Sequence, residues 1–260
     1  MPYTELTSTH DETWQRLLRR ALIFGPPNSG KSYSSRTFHR PLAIISAPNE
    51  LGVASLPIGE EGVKTWMWDL DFSKPVDWID TVEATRRLMA DLVTGKLGQF
   101  RTVFYDGLHK LEFCYLNAET GGAIAKGDMS SFDGRKMYPA VKNKLLMDVR
   151  RWLQSPVEYL VFTAWIGRDK EDSTAEKSPT HIFPALTGQT AQDIVGEFSL
   201  CLYAERQGYG PAARYLWQPQ ADPKVWGAGL KLPSELAKKI PPTIPQDWTV
   251  LERYLTVPTA

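Results

Sequence analysis

The sequence predicts an α/β domain with a mainly parallel central sheet flanked by helices. Three observations carry this. Short apolar runs at Ala21–Phe24, Leu42–Ser46, Thr102–Asp106 and Val157–Trp165 are separated by helical stretches, the pattern of strands buried on both faces. The first run passes directly into Gly25-Pro26-Pro27-Asn28-Ser29-Gly30-Lys31-Ser32. That is a phosphate-binding G-x-x-x-x-G-K-S loop in its strand-to-helix setting. The third run closes on Asp106, the strand-end carboxylate that partners such a loop.

Taken in order, residues 1–20 form an N-terminal segment. Trp14, Leu17 and Leu18 fall at i, i+3 and i+4, so Asp11 to Arg20 reads as a helical turn or two. Its basic side, Arg16, Arg19 and Arg20, reads as a solvated face, with a phosphate or partner contact as the alternative. Gly25 and Gly30 then bracket a loop whose N–H groups turn inward around phosphates, and a side chain at Gly30 would crowd that approach. Pro26, Pro27, Asn28 and Ser29 complete the loop. Lys31 supplies charge to the β- and γ-phosphates, and the Ser32 hydroxyl is placed for Mg²⁺. A helix over Ser32–Phe38, which includes Tyr33, adds its positive end.

Leu42–Ser46 is the second strand and runs into a turn at Ala47-Pro48-Asn49-Glu50. A glutamate just beyond a core strand can hold and deprotonate an attacking water; Glu50 is that group or an exposed loop residue. Val63–Trp68 reads as an edge strand with Trp66 and Trp68 on one face. Asp69, Asp71, Asp77 and Asp80 lack calcium-loop spacing and read as loop and capping residues. A helix follows from Asp80 or Thr81 to Val93. Asp106 then holds Mg²⁺ beside Ser32, and Gly107 stands where a second carboxylate could have been.

Leu108–Asn117 reads as a helix. Glu119–Lys136 is rich in Gly, Ser, Asp and Lys and reads as a flexible loop. Lys126, Arg135, Lys136, Lys142 and Lys144 put positive charge there or just after it, interleaved with Phe132, Met137 and Tyr138. Such a set suits single-stranded DNA, through phosphate contact and base stacking. A subunit contact, or a loop whose aromatics pack back on the core, stays open. Tyr138–Leu153 is a helix with Val141, Leu145, Val149 and Leu153 on one face. Thr163, near the end of the fourth strand, either faces the γ-phosphate or is an ordinary strand hydroxyl. Arg168–Ser178 reads as a charged loop and Thr190–Val195 as a helix. Phe198–Ala204 and Arg214–Gln218 form an antiparallel hairpin. The domain ends near residue 232, and residues 233–260 are a Pro-rich tail packed through Trp248 and Leu251.

Composition bounds the function. Lys+Arg and Asp+Glu are both 30, so a global basic field for nucleic acid is absent and a DNA surface must be a local patch. Cys114 and Cys201 lack metal-ligand spacing and read as buried thiols. No run reaches transmembrane length and the N-terminus does not resemble a signal peptide, so a soluble, cytoplasmic protein with no membrane contact is expected.

GPPNSGKS, Glu50, TVFYDG, YLVFTAW, PALTGQ and FSLCLYAER together resemble the phage RecA-like P-loop ATPases, relatives of RecA/Rad51-type single-strand annealing and recombination ATPases. The resemblance spans residues 21 to 232. It implies a RecA-like core with the P-loop strand beside the fourth strand. It also implies ATP with Mg²⁺ between subunits of a homo-oligomeric ring or filament, and the host cytoplasm if phage-encoded. Family members often carry histidine near the position of Trp165 and a Lys/Arg-containing Gly-rich stretch, here Trp226–Lys231. Three functions follow: a recombination ATPase on single-stranded DNA, a packaging or motor ATPase with a separate nuclease, and a nucleotide-binding regulator with little turnover.

Overall fold

The computed structural model describes residues 18–47, 51–68, 75–121, 123, 133–168, 181–222, 224–232 and 234–255. Its strands are β1 (Arg20–Phe24), β2 (Leu42–Ser46), β3 (Val63–Met67), β4 (Thr102–Asp106), β5 (Tyr159–Ala164), β6 (Ile166–Arg168), β7 (Ile182–Pro184), β8 (Leu200–Gln207), β9 (Arg214–Gln218), β10 (Gly229–Leu230) and β11 (Ile244–Pro245). The α-helices are α1 (Pro75–Val93), α2 (Leu108–Glu119), α3 (Gly134–Leu153), α4 (Thr190–Glu197), α5 (Ser234–Ala237) and α6 (Trp248–Leu255).

The main sheet runs β11-β9-β8-β1-β5-β4-β2-β3, and β10 pairs with β8. From β8 to β3 every pairing is parallel. The C-terminal strands β9, β10 and β11 are antiparallel, with β8–β9 as the expected hairpin. The strand β5 is inserted between β1 and β4, with Ile23 opposite Thr163 and Tyr105 opposite Phe162. The phosphate loop, Thr163 and Asp106 therefore leave the sheet side by side at the carboxyl ends of the strands, where open α/β sheets bind ligands.

Alternation along β1 sorts the core into two layers. Leu22 and Phe24 face a cluster built from α1, α2 and α3, through Met89, Leu111, Tyr115, Leu145, Val149 and Trp152. Ala21 and Ile23 face Phe38, Leu56, Ile240, Ile244, Trp248 and Leu251. Cys114 and Cys201 are buried and free.

Several expectations are corrected. No α-helix follows the phosphate loop; the segment is a five-residue 3-10 helix, Tyr33–Thr37. The Ser34, Ser35 and Thr37 hydroxyls donate to the carbonyls of Lys31, Ser32 and Ser34, the local bonding by which Ser and Thr compete with regular helix. The helix α1 begins at Pro75 rather than Asp80 because proline suits a first helical position, and Asp77 and Asp80 lie within it. The helix α3 begins at Gly134, capped by Asp133, whose side chain accepts the Arg135 N–H at 3.1 Å. Pro139 sits inside it.

Arg19 and Arg20 are not a solvated helix face. Arg19 pairs with Glu158 at 2.6 Å. Arg20 is buried and donates to the carbonyls of Leu153, Ser155, Val157 and Glu158 at 2.8–3.0 Å. Its guanidinium thereby satisfies carbonyls at and beyond the end of α3. Trp14, Leu17, Arg16, Asp69 and Asp71 lie outside the described residues. No helix among the described residues is long and apolar enough to cross a membrane.

Candidate functional site

A cavity of about 400 Å³ opens at the carboxyl ends of β1, β4 and β5, lined by residues 27–33, Gly52, Ser55, Asp106, Thr163 and Trp165. The loop is tied to the sheet where it starts: the Gly25 N–H donates to Ala164 O at 3.2 Å. A Cβ on Gly25 would fall 2.3 Å from Ala204 O, so only glycine fits between β1 and β8. The Ser29 N–H closes a turn onto Pro26 O at 3.3 Å. Asn28 and Gly30 adopt φ of 61° and 88°.

Gly30 is required for a reason other than the expected one. A Cβ there would meet Gln246 Oε1 at 2.5 Å and Tyr215 Cδ1 at 2.7 Å. The crowding lies against the protein behind the loop.

Lys31 is buried, and its Nζ donates to Gly25 O at 2.9 Å, Pro26 O at 2.7 Å and Ser29 Oγ at 3.4 Å. Its ammonium is held within the loop by that loop's own oxygens. Asp106 is also buried. One carboxylate oxygen, Oδ1, accepts the Thr163 hydroxyl at 2.5 Å. That same hydroxyl accepts the Gly107 N–H at 2.9 Å. Thr163 thus orients Asp106, whichever further contact it makes. The other oxygen, Oδ2, is buried with no hydrogen-bond partner among the described residues. Burial raises the Asp106 pKa, while Thr163, Ser32 and Lys31 pull it down.

An orphaned carboxylate oxygen beside the Ser32 hydroxyl is the donor set a hard divalent cation takes, so the residues fit Mg²⁺. No group of three or more His, Cys, Asp or Glu residues that could hold a metal occurs among the described residues.

Gly107 has φ 104° and ψ 50° and caps α2. A side chain is disfavoured in that conformation, which explains why no carboxylate follows Asp106.

Sequence reasoning missed four residues here. Gly52 lies over the site: a Cβ on it would fall 2.3 Å from Ser32 Oγ and 3.3 Å from Asp106 Oδ2. His109 stacks on Trp165 with centroids 4.7 Å apart, and Lys110 Nζ lies 5.1 Å from the same ring. Burial, then the charges of Lys110 and Lys31, lowers the His109 pKa to about 3, so its imidazole is neutral. Gln246 comes from the far end of the chain. Only Gly52 carried a local signal, as a glycine two residues beyond Glu50.

Tyr33 lines the cavity and is 58% exposed. Glu50 lies outside the described residues, as do Lys126 and Phe132. Arg135, Lys136 and Tyr138 are in the first turns of α3 rather than on a loop, because the Asp133 cap starts the helix there. Three neighbouring cations are already paired: Lys136 with Asp133 at 3.7 Å, Lys142 with Asp193 at 3.1 Å, and Lys144 with Glu119. Arg135, Tyr138 and Lys142 line a second cavity, of about 460 Å³, with the turn 187–190. The buried Glu112 of α2 holds that turn, accepting the Thr187 N–H at 2.9 Å.

A family model of the AAA domain matches residues 18–227. No curated protein matches the chain. Among solved structures, the chain is similar to the flagellar accessory protein FlaH of Methanocaldococcus jannaschii. The identity is 11%, over 82% of this chain and 81% of that one, with a TM-score of 0.38.

Proposed function

The chain belongs to the AAA domain family, and we propose that it is a Mg²⁺-dependent ATPase acting on single-stranded DNA in strand recombination or annealing. One observation carries the nucleotide reading. Lys31, Ser32 and a buried Asp106 with an orphaned oxygen meet in one cavity at the strand ends.

In this reading residues 25–32 wrap the phosphates, and the Lys31 ammonium exchanges carbonyl partners for phosphate oxygens. Asp106 and Ser32 would hold Mg²⁺, which when bound offsets charge on the phosphates. Thr163 keeps Asp106 aimed, and its hydrogen bond works against the rise in pKa that burial causes. Glu50 orients the attacking water and accepts its proton.

The DNA reading is supported by Arg135 and Tyr138 lining one cavity, a cation and an aromatic ring on the same wall. A homo-oligomeric ring or filament with ATP between copies is supported by Tyr33, an aromatic side chain left exposed at the cavity. A regulator with little turnover is the second reading. It is favoured by Asp106 being the sole carboxylate that lines the cavity among the described residues.

The test is ATP turnover with and without single-stranded DNA. Turnover stimulated by DNA is expected. Tight ATP binding without turnover would favour the regulator, and turnover indifferent to DNA would remove the DNA role.

A further inference from the structure

We infer that Gln246 is a positioning residue for the phosphate-binding loop; this rests on the nucleotide-site reading above. Its side-chain Nε2 donates to Ser29 O at 2.7 Å and to Leu216 O of β9 at 3.0 Å. Its backbone N–H donates to Tyr215 O at 3.1 Å. The side chain therefore fills the space behind Gly30, where a Cβ would fall 2.5 Å from its Oε1.

The consequence follows from peptide geometry. In a planar trans peptide the C=O and N–H point in opposite directions. The Ser29 carbonyl and the Gly30 N–H belong to one such plane. Anchoring that carbonyl behind the loop turns the Gly30 N–H toward the cavity, which Gly30 lines. Gln246 thus fixes the direction of a phosphate-facing donor without touching phosphate.

The loop has need of the anchor. A long helix would normally brace it, but here one five-residue 3-10 turn follows, and a single turn is weakly self-supporting. The same C-terminal segment braces the far end of that turn. The Trp248 N–H donates to Thr37 Oγ1 at 3.0 Å, and the Trp248 ring stacks on Phe38 with centroids 4.7 Å apart. Loop and turn are clamped at both ends by residues 246–248.

The experiment compares wild type with Gln246→Met, which keeps length and removes the donor. Two readouts are used. One is amide exchange at Ser34 and Ser35 in the nucleotide-free protein, whose N–H groups bond to Gly30 O and Ser32 O. The other is KM and kcat for ATP. Both side-chain hydrogen bonds are lost, and the one to Ser29 is the one within the loop; exchange there should speed up about tenfold, and KM should rise about tenfold with kcat changed less than about twofold, the scale of that one buried contact used equally in ground and transition states.

Unchanged exchange in a folded variant overturns the anchor. Faster exchange with unchanged KM reduces Gln246 to a structural contact and overturns the positioning role. If wild type binds no ATP, the nucleotide reading fails separately, and the exchange arm still decides the anchor. If Gln246→Met does not fold, Gln246→Asn, too short to reach both carbonyls, replaces it under the same criteria.

Discussion

The two faces of the sheet are covered by different means. One face carries α1, α2 and α3, whose apolar stripes place Met89, Leu111, Tyr115, Leu145 and Trp152 on the strands. The other has no long helix among the described residues. Phe38 and Leu56 from short segments, and Ile240, Ile244, Trp248, Leu251 and Leu255 from the C-terminus, do the same task. That second face is also the back of the phosphate loop. On the helical face, then, a packing defect away from the start of α2, as at Trp152, costs stability first; only the first turn of α2, through His109 and Lys110, reaches Trp165 at the site. On the other, Trp248 and Gln246 serve the core and the loop together, so a defect there reaches the site.

The largest effect should come from the site itself. Lys31→Ala removes the only ammonium held inside the loop among the described residues. Hydrolysis should fall about 10³-fold, the scale of a lost phosphate-facing charge, with the melting transition retained. Normal turnover in a folded variant would break the nucleotide reading, and with it any functional difference between the faces.

Next is Glu50→Gln. ATP affinity should stay and turnover drop about 10²-fold, as for loss of a general base. Single-turnover hydrolysis with a measured Kd separates the two. If turnover is normal, another group orients the water. Gly107 has already accounted for the missing neighbour of Asp106, since its φ of 104° excludes glutamate there.

Third, Trp152→Phe and Trp248→Phe set the faces against each other. Both rings are buried, and each change should cost about 0.5–3 kcal/mol in chemical denaturation. Only Trp248→Phe should raise the KM for ATP in the folded protein. Equal KM values would erase the distinction drawn here.

Local signals made most of the helical face and the strands legible. Leu42–Ser46, Thr102–Asp106 and Arg214–Gln218 are strands with the expected bounds, because apolar runs bordered by turn residues are unambiguous. Lys31, Ser32 and Asp106 stood out through the spacing of the motifs that carry them, and they line one cavity. What failed had tertiary causes. Arg20 looked like a surface charge and is buried by four carbonyls outside its own neighbourhood. The start of α3 was hidden by Gly134 and Pro139, both poor helix formers whose cost the Asp133 cap and packing offset. Gln246 lies more than two hundred residues from Ser29, and nothing in its local sequence marks it.

The smallest effect tests where DNA meets the helical face. On the sequence, Arg135, Lys136, Lys142 and Lys144 were equivalent cations; in the structure they are not. Lys136, Lys142 and Lys144 have carboxylate partners, whereas no described carboxylate pairs with Arg135, which shares a cavity wall with Tyr138. A cation already paired within the protein has less counterion to gain from a phosphate. Arg135→Ala should therefore lower the slope of log affinity against log salt by about 0.7, the value for one lost phosphate contact on a single strand. Lys144→Ala should leave the slope unchanged. Anisotropy titrations of a labelled oligothymidine at several salt concentrations measure both. Equal slope changes would mean that DNA competes the ion pairs away and that the basic set acts as a diffuse patch. No change in either would move the contact off this face.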